Sequence, residues 1–331
     1  MKGMTVKKIV LCLFLFSCMC IFSIESVAEG YMATMDIESE SARGLDRLYL
    51  YSYYPEMGKT TRYAYDPTAA TDTDINTPMD VDTNSYALPL ENDDMPYGII
   101  GSDGRRPVTD VTTSPFSKIV FIKTHFQGSD GKRYVGYGTG VIIGPDLVLT
   151  AAHVLFYSNG FVEQCDVFTE YNGSNDYAEK STAEKLTIHK NFYESNDHDY
   201  DWAIIKTSTD IGYRQGWMGF DCHTNYSDFV GYRIEITGYP GEKPEEYAES
   251  SYLMYRARGV IQTCPSKYRV TSYIDTSSGQ SGAPMFDVHQ TVWAIHSRYN
   301  TEGYNFGTKI TPELYSLLLT EKENSISEWG E

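Results

Sequence analysis

The chain has 331 residues, 41% apolar and 22% charged, so one or two packed domains are expected and global disorder is excluded. Acids outnumber bases by 45 to 27, a net charge of −18. A surface that acidic repels phosphate backbones, so no nucleic-acid partner is expected.

The chain opens on a basic stretch carrying Lys2, Lys7 and Lys8, followed by an uncharged apolar run, Ile9–Ile24. That run is too short and wrongly flanked for a membrane span, which needs about 20 residues. Ser26-Val27-Ala28 supplies the small residues a signal peptidase reads. The pattern predicts a secretory signal over 1–28, a secreted, extracellular protein and no stable membrane insertion. Three of the six cysteines, Cys12, Cys18 and Cys20, fall in this leader. Cys165, Cys222 and Cys264 remain, which permits at most one internal disulfide and leaves three pairings open.

Residues 29–97 carry 14 acids and 4 bases and show no sustained helical or strand period, only Tyr-rich patches such as Tyr49–Tyr54. Such a stretch cannot offset its own ordering entropy, so 29–98 is predicted to be an acidic pro-segment. Asp72, Asp74 and Asn76 begin like a calcium loop. However, Thr77 and Thr83 stand where Gly and Glu are needed, so the loop is rejected.

From Ile99 the texture changes to short β segments punctuated by Gly and Pro. Strands are predicted over 118–123, 134–138 with 140–143, 147–149, 202–206, 232–237, 254–262, 269–274, 283–286 and 292–296. This spacing predicts an all-β barrel or sandwich. Pro312–Leu319 reads as a helix, with Thr311 as its N-cap and Leu314, Leu317 and Leu318 on one side. The polar tail 321–331 is expected to fray.

Three strings carry chemistry, in order: Leu149-Thr-Ala-Ala-His153, Asp199-Tyr-Asp201-Trp-Ala-Ile204 and Ser278-Gly-Gln-Ser281-Gly-Ala-Pro284. Each alone is ordinary: a structural histidine, a solvated acid cluster, a glycine turn. Together they match a nucleophile, its base and the base's orienter. A serine hydroxyl attacks only if a base takes its proton, His titrates near neutrality, and a carboxylate behind it fixes the tautomer. A developing oxyanion needs preorganised donors, which a glycine turn before the serine supplies. Ser281 is the expected nucleophile, His153 the base and Asp201 the orienter, with the Gly279 and Ser281 N–H groups as the oxyanion hole. No H-E-x-x-H and no paired C-x-x-C occurs, so neither metal nor cofactor is expected.

These strings resemble the chymotrypsin-fold serine endopeptidases, in which His, Asp and Ser occur in this order. The resemblance runs from about Ile99 to Thr311 and implies two antiparallel six-stranded β-barrels, about 99–210 and 211–331, with a C-terminal helix and the site between the barrels. Animal trypsin-like enzymes have Asp before the nucleophile; Gln280 stands there, so their amine–carboxylate activation switch is absent. The sequence is more similar to the bacterial glutamyl endopeptidases, including the staphylococcal type. The stretch Ile99-Ile-Gly-Ser-Asp-Gly-Arg105 resembles the start of their mature enzymes.

That resemblance implies a zymogen cut near Gly98–Ile99 by an activating protease. It also implies cleavage of protein or peptide substrates after Glu, possibly also Asp. Substrate-binding residues would be His296, Thr276 and the freed amine of Ile99. Ser297-Arg298-Tyr299 departs from the family, which commonly has small glycines there. Asp275, six before Ser281, keeps trypsin-like Lys or Arg specificity as the alternative. A second alternative is a highly selective exfoliative-toxin-like protein, or a non-proteolytic binder. A monomer is the default.

Overall fold

The computed structural model describes residues 46–67, 103–128, 130–157, 160–173, 176–223, 225–241, 252–299 and 304–330. The signal at 1–28, the rejected calcium loop, Gly98 and Ile99 lie outside the described residues. So does the pro-segment apart from 46–67.

In chain order the strands begin with a hairpin, β1 (Leu48–Tyr54) and β2 (Lys59–Tyr65), and the short β3 (Arg106–Pro107). Next come β4 (Ile119–Gln127), β5 (Arg133–Ile142), β6 (Leu147–Thr150), β7 (Phe156–Tyr157), β8 (Gly160–Phe161), β9 (Gln164–Thr169), β10 (Glu179–His189) and β11 (Ala203–Thr207). The last group is β12 (Gly219–Phe220), β13 (Arg233–Gly238), β14 (Tyr255–Ser266), β15 (Arg269–Ser272), β16 (Pro284–Phe286), β17 (Thr291–Tyr299) and β18 (Asn305–Lys309).

Strands β11-β6-β5-β4-β9-β10 run side by side, and a β10–β11 pairing closes them into a six-stranded barrel. Strands β17-β16-β13-β14-β15-β18 close likewise through β17–β18. Closure pairs the end strands of each barrel with each other and leaves few free edges; one that remains, along β10, is taken up by β1. Each barrel interior is a continuous apolar cluster. Val120, Ile122, Val148, Leu186 and Ile205 fill the first; Ile236, Ile261, Val270, Met285 and Ala294 fill the second. A third cluster joins the barrels and the C-terminal helix through residues such as Ile119, Leu149, Phe286, Leu314 and Leu318. The predicted two-barrel, all-β architecture with a C-terminal helix is therefore the fold observed.

Two readings of the sequence are corrected. The stretch read as lacking strands contains the β1–β2 hairpin, with Leu48, Leu50 and Ser52 buried alternately along β1. The tail read as frayed is helical: the helix runs Pro312–Trp329. Its polar residues have partners. Ser325 Oγ and Trp329 Nε1 donate to Asp146 at 2.6 and 2.8 Å, and Lys185 pairs with Glu321. Thr311 caps the helix by accepting from Leu314 N, as expected. Strands β9, β10 and β18 also escaped sequence reading. The three described cysteines are all free, so none of the three possible disulfides forms.

Candidate active site

Strand pairing brings the first two residues together. β6 and β11 are antiparallel, with Thr150 opposite Ala203. Just past Thr150, a one-turn helix, Ala152–Leu155, carries His153. Just before Ala203, a tight turn over His198–Tyr200 delivers Asp201. Asp201 is fully buried and grips the histidine twice. Its Oδ1 accepts from the His153 backbone N at 3.0 Å, and its Oδ2 lies 2.8 Å from His153 Nδ1. Ser297 Oγ, from β17 of the second barrel, also donates to Asp201 Oδ2.

The electrostatics are mutual. Burial would raise the Asp201 pKa, but the charge and hydrogen bonds of His153 and the Ser297 hydroxyl bring it well below the carboxylate range. Burial would lower His153, and the Arg298 charge pulls the same way. The Asp201 charge and hydrogen bond outweigh both, and the imidazole ends above its usual 6.5. An ionised carboxylate only accepts, so Nδ1 carries the proton and Nε2 is left as the basic nitrogen. The neighbouring acids are engaged elsewhere: Asp199 pairs with Arg269, and Asp197 accepts from Asp199 N.

Ser281 arrives from the second barrel in the turn Gly279–Gly282. Both glycines have left-handed backbones, φ +92° and +83°. The approach at Gly282 is close enough to exclude any side chain: a Cβ there would lie 2.1 Å from Thr150 Oγ1 and 2.8 Å from Ala151 N. Two first-barrel threonines brace this turn. Thr139 donates its N to Ser281 O at 2.9 Å and its Oγ1 to Gly279 O at 2.9 Å. Thr150 Oγ1 in turn donates to Thr139 O at 2.7 Å. The serine turn thus packs against the residues that lead into His153. No hydrogen bond joins the Ser281 hydroxyl to His153 in this arrangement; such contacts commonly tighten only when substrate binds. Among the described residues, no backbone carbonyl takes up the N–H of Gly279 or Ser281.

His296 lies beside this turn. Its carbonyl accepts from Gly282 N and its N donates to Ala283 O, both at 2.8 Å. The ring is 3% exposed, and burial, with His153 nearby, pushes its pKa down to about 4. Nδ1 of His296 and Oγ1 of Thr276 are buried without a hydrogen-bond partner. Native interiors seldom leave such groups unsatisfied, so the pair calls for an explanation. Asp275 behaves differently: its Oδ2 accepts from Gly104 N at 2.8 Å. Sequence reasoning missed Ser297 and Thr139 as site residues. Ser297 was noted only as a departure from the family, and Thr139 gave no signal at all.

A trypsin family profile matches residues 122–315. The chain belongs to the trypsin family. Over 245 residues it is 30% identical to a glutamyl endopeptidase of Bacillus licheniformis, covering 70% of this chain and 72% of that protein. A protein named extracellular metalloprotease from Bacillus subtilis is 29% identical over 67% of this chain and 68% of its own length. A solved structure of a Glu endopeptidase in complex with MPD superposes with a TM-score of 0.60 at 25% identity, covering 68% of this chain and 99% of that one. The trypsin-family chain is accordingly a serine endopeptidase, related to glutamyl endopeptidases and acting on proteins or peptides. Among the described residues, no group of three or more His, Cys, Asp or Glu side chains is placed to hold a metal ion.

Proposed function

We propose that this trypsin-family chain is a secreted glutamyl endopeptidase, made as a zymogen, with Ser281 as nucleophile, His153 as general base and Asp201 as its orienter. In acylation, Nε2 of His153 takes the Ser281 hydroxyl proton as Oγ attacks the scissile carbonyl. The Gly279 and Ser281 N–H groups receive the oxyanion. His153 then gives its proton to the leaving amine, and water repeats the sequence to release the acid. The observation that carries this reading is the Nδ1–Asp201 contact at 2.8 Å beside a serine turn packed against Thr150.

Glu specificity rests on the His296 imidazole and the Thr276 hydroxyl, whose Nδ1 and Oγ1 are buried without a hydrogen-bond partner. A glutamate carboxylate accepting from the imidazole N–H and from the hydroxyl would supply what the protein leaves unpaired. Asp275 is the weaker candidate for reading Lys or Arg, because one of its oxygens is already held by Gly104 N. Secretion is inferred from the basic, then apolar, leader. The zymogen step, a cut near Gly98–Ile99 by a second protease, is inferred from the acidic segment ahead of Ile99.

The test is a set of peptides differing only in Glu, Gln or Lys before the scissile bond. The proposal expects fastest cleavage after Glu. Fastest cleavage after Lys would shift the assignment to Asp275. Labelling of Ser281 without cleavage of any of these peptides would favour a narrowly selective, toxin-like enzyme.

A further inference from the structure

The hairpin upstream of the expected maturation cut is built into the catalytic domain. β1 pairs antiparallel with β10, with Leu50 opposite His189 and Ser52 opposite Thr187, and β2 pairs with β1. Leu48 and Leu50, 6% and 0% exposed, sit in the same apolar cluster as Ile119, Leu149 and Leu318. Ser52 Oγ lies 2.8 Å from Thr187 Oγ1 in the buried layer. On the outer face, the Tyr51 ring stacks on Tyr193 at 3.9 Å, and its hydroxyl donates to Glu194 at 3.0 Å. At the far end, Tyr65 OH donates to Ser316 O at 2.8 Å and lies 2.9 Å from Thr320 Oγ1. The hairpin therefore ties the first barrel to the C-terminal helix.

We infer that residues 47–67 are a permanent strand pair of the enzyme and stay bound, without a covalent link, once the chain is cut between 68 and 102. A discarded pro-segment would strip Leu48 and Leu50 from the core and bare the backbone of β10, an edge that proteins normally keep covered. Binding by strand addition supplies main-chain hydrogen bonds, and alternate side chains in apolar pockets supply specificity. The partner is this one segment, and the mature enzyme is a two-chain molecule. The inference presupposes no substrate and no catalytic competence.

The experiment uses the full chain after leader removal, with Ser281→Ala to prevent self-cleavage and a recognition site for a specific protease placed between residues 80 and 90. After the cut, native size exclusion with mass spectrometry should find the hairpin fragment eluting one-to-one with the catalytic fragment. The two should separate only in denaturant. Leu50→Asp should release the fragment. Elution of the unaltered hairpin fragment by itself under native conditions would overturn the inference.

A second measurement uses the same cut full chain with added peptide. A synthetic 47–67 peptide should raise its melting temperature in a concentration-dependent way, because a ligand of the folded state stabilises it. No shift at saturating peptide would also overturn the inference. Neither measurement needs activity, so failure here leaves the peptidase reading standing. The inference rests on the proposed maturation cut; loss of the triad or of the Glu preference alone leaves it standing.

Discussion

Arg105 Nη1 donates to Gln280 Oε1 at 3.1 Å, joining the first described stretch of the protease domain to the residue between the two expected oxyanion donors. The same nitrogen donates to Ser277 Oγ, and Ser277 N donates to the same Gln280 oxygen at 3.1 Å. Asp103 holds the guanidinium from behind through two 3.0 Å contacts. Gln280 cannot form the amine–carboxylate pair of animal trypsins. A side chain from the start of the domain reaches the turn instead.

Arg105→Ala should therefore loosen the Gly279–Ser281 turn. The expected loss is in kcat, up to about 100-fold, the scale of a ~1 Å misplacement, with KM little changed. Steady-state kinetics on a Glu peptide and an ester check the split. A rise in KM alone would place Arg105 in substrate binding instead.

Gly282→Ala should abolish activity and destabilise the fold. The left-handed backbone and the 2.1 Å approach to Thr150 Oγ1 leave no room for a methyl group, and relief means separating the serine turn from the strand leading to His153. Thermal unfolding and Ser281 labelling would both report it. An active, stable Gly282→Ala would show that the packing between the barrels is looser than described.

Asp201→Asn should cost about 10⁴-fold in kcat, since an amide can present the wrong partner to Nδ1. Ser297→Ala should cost far less, because it removes one of several donors to a carboxylate that keeps both contacts to His153. Comparable losses in the two variants would contradict that ranking.

The pH dependence follows from two shifts of opposite sign. His153 is raised above 6.5 and must be neutral to act as a base, so the acid limb of kcat/KM should inflect above pH 6.5. His296 is pushed down to about 4, so in the folded chain it stays neutral where an unfolded histidine takes a proton. Stability should therefore fall as pH drops from 6.5 towards 4, with the buried His189, also at about 4, adding to the slope. Urea unfolding at a series of pH values checks the sign. Replacing His296 with Leu should flatten part of that slope while selectively removing cleavage after Glu.

The strings around His153, Asp201 and Ser281 stood out in the sequence because each combines a chemically committed residue with a backbone signal: an apolar strand end, a turn, a glycine pair. The hairpin was hidden by its tyrosines. In Leu48-Tyr-Leu-Tyr-Ser-Tyr-Tyr54, the small or aliphatic residues are buried and the alternating tyrosines only partly so, and a hydropathy count finds no alternation. The period of two was there in side-chain size, closed by Gly58 in a left-handed turn. The long C-terminal helix was cut short in the reading because residues 320–329 are polar. Ser325, Glu328 and Trp329 are held by Asp146 and Lys206 of the first barrel, which sequence proximity cannot show. Thr139 and Ser297 were invisible for the same reason: their roles are partners across the two barrels.

The central claim is that His153 activates Ser281 for attack. It is tested most directly by mapping a fluorophosphonate adduct by mass spectrometry in the activated wild-type enzyme and in His153→Ala. The account predicts a single adduct on Ser281 that disappears in His153→Ala. An adduct on another residue, or undiminished labelling without the imidazole, would contradict it.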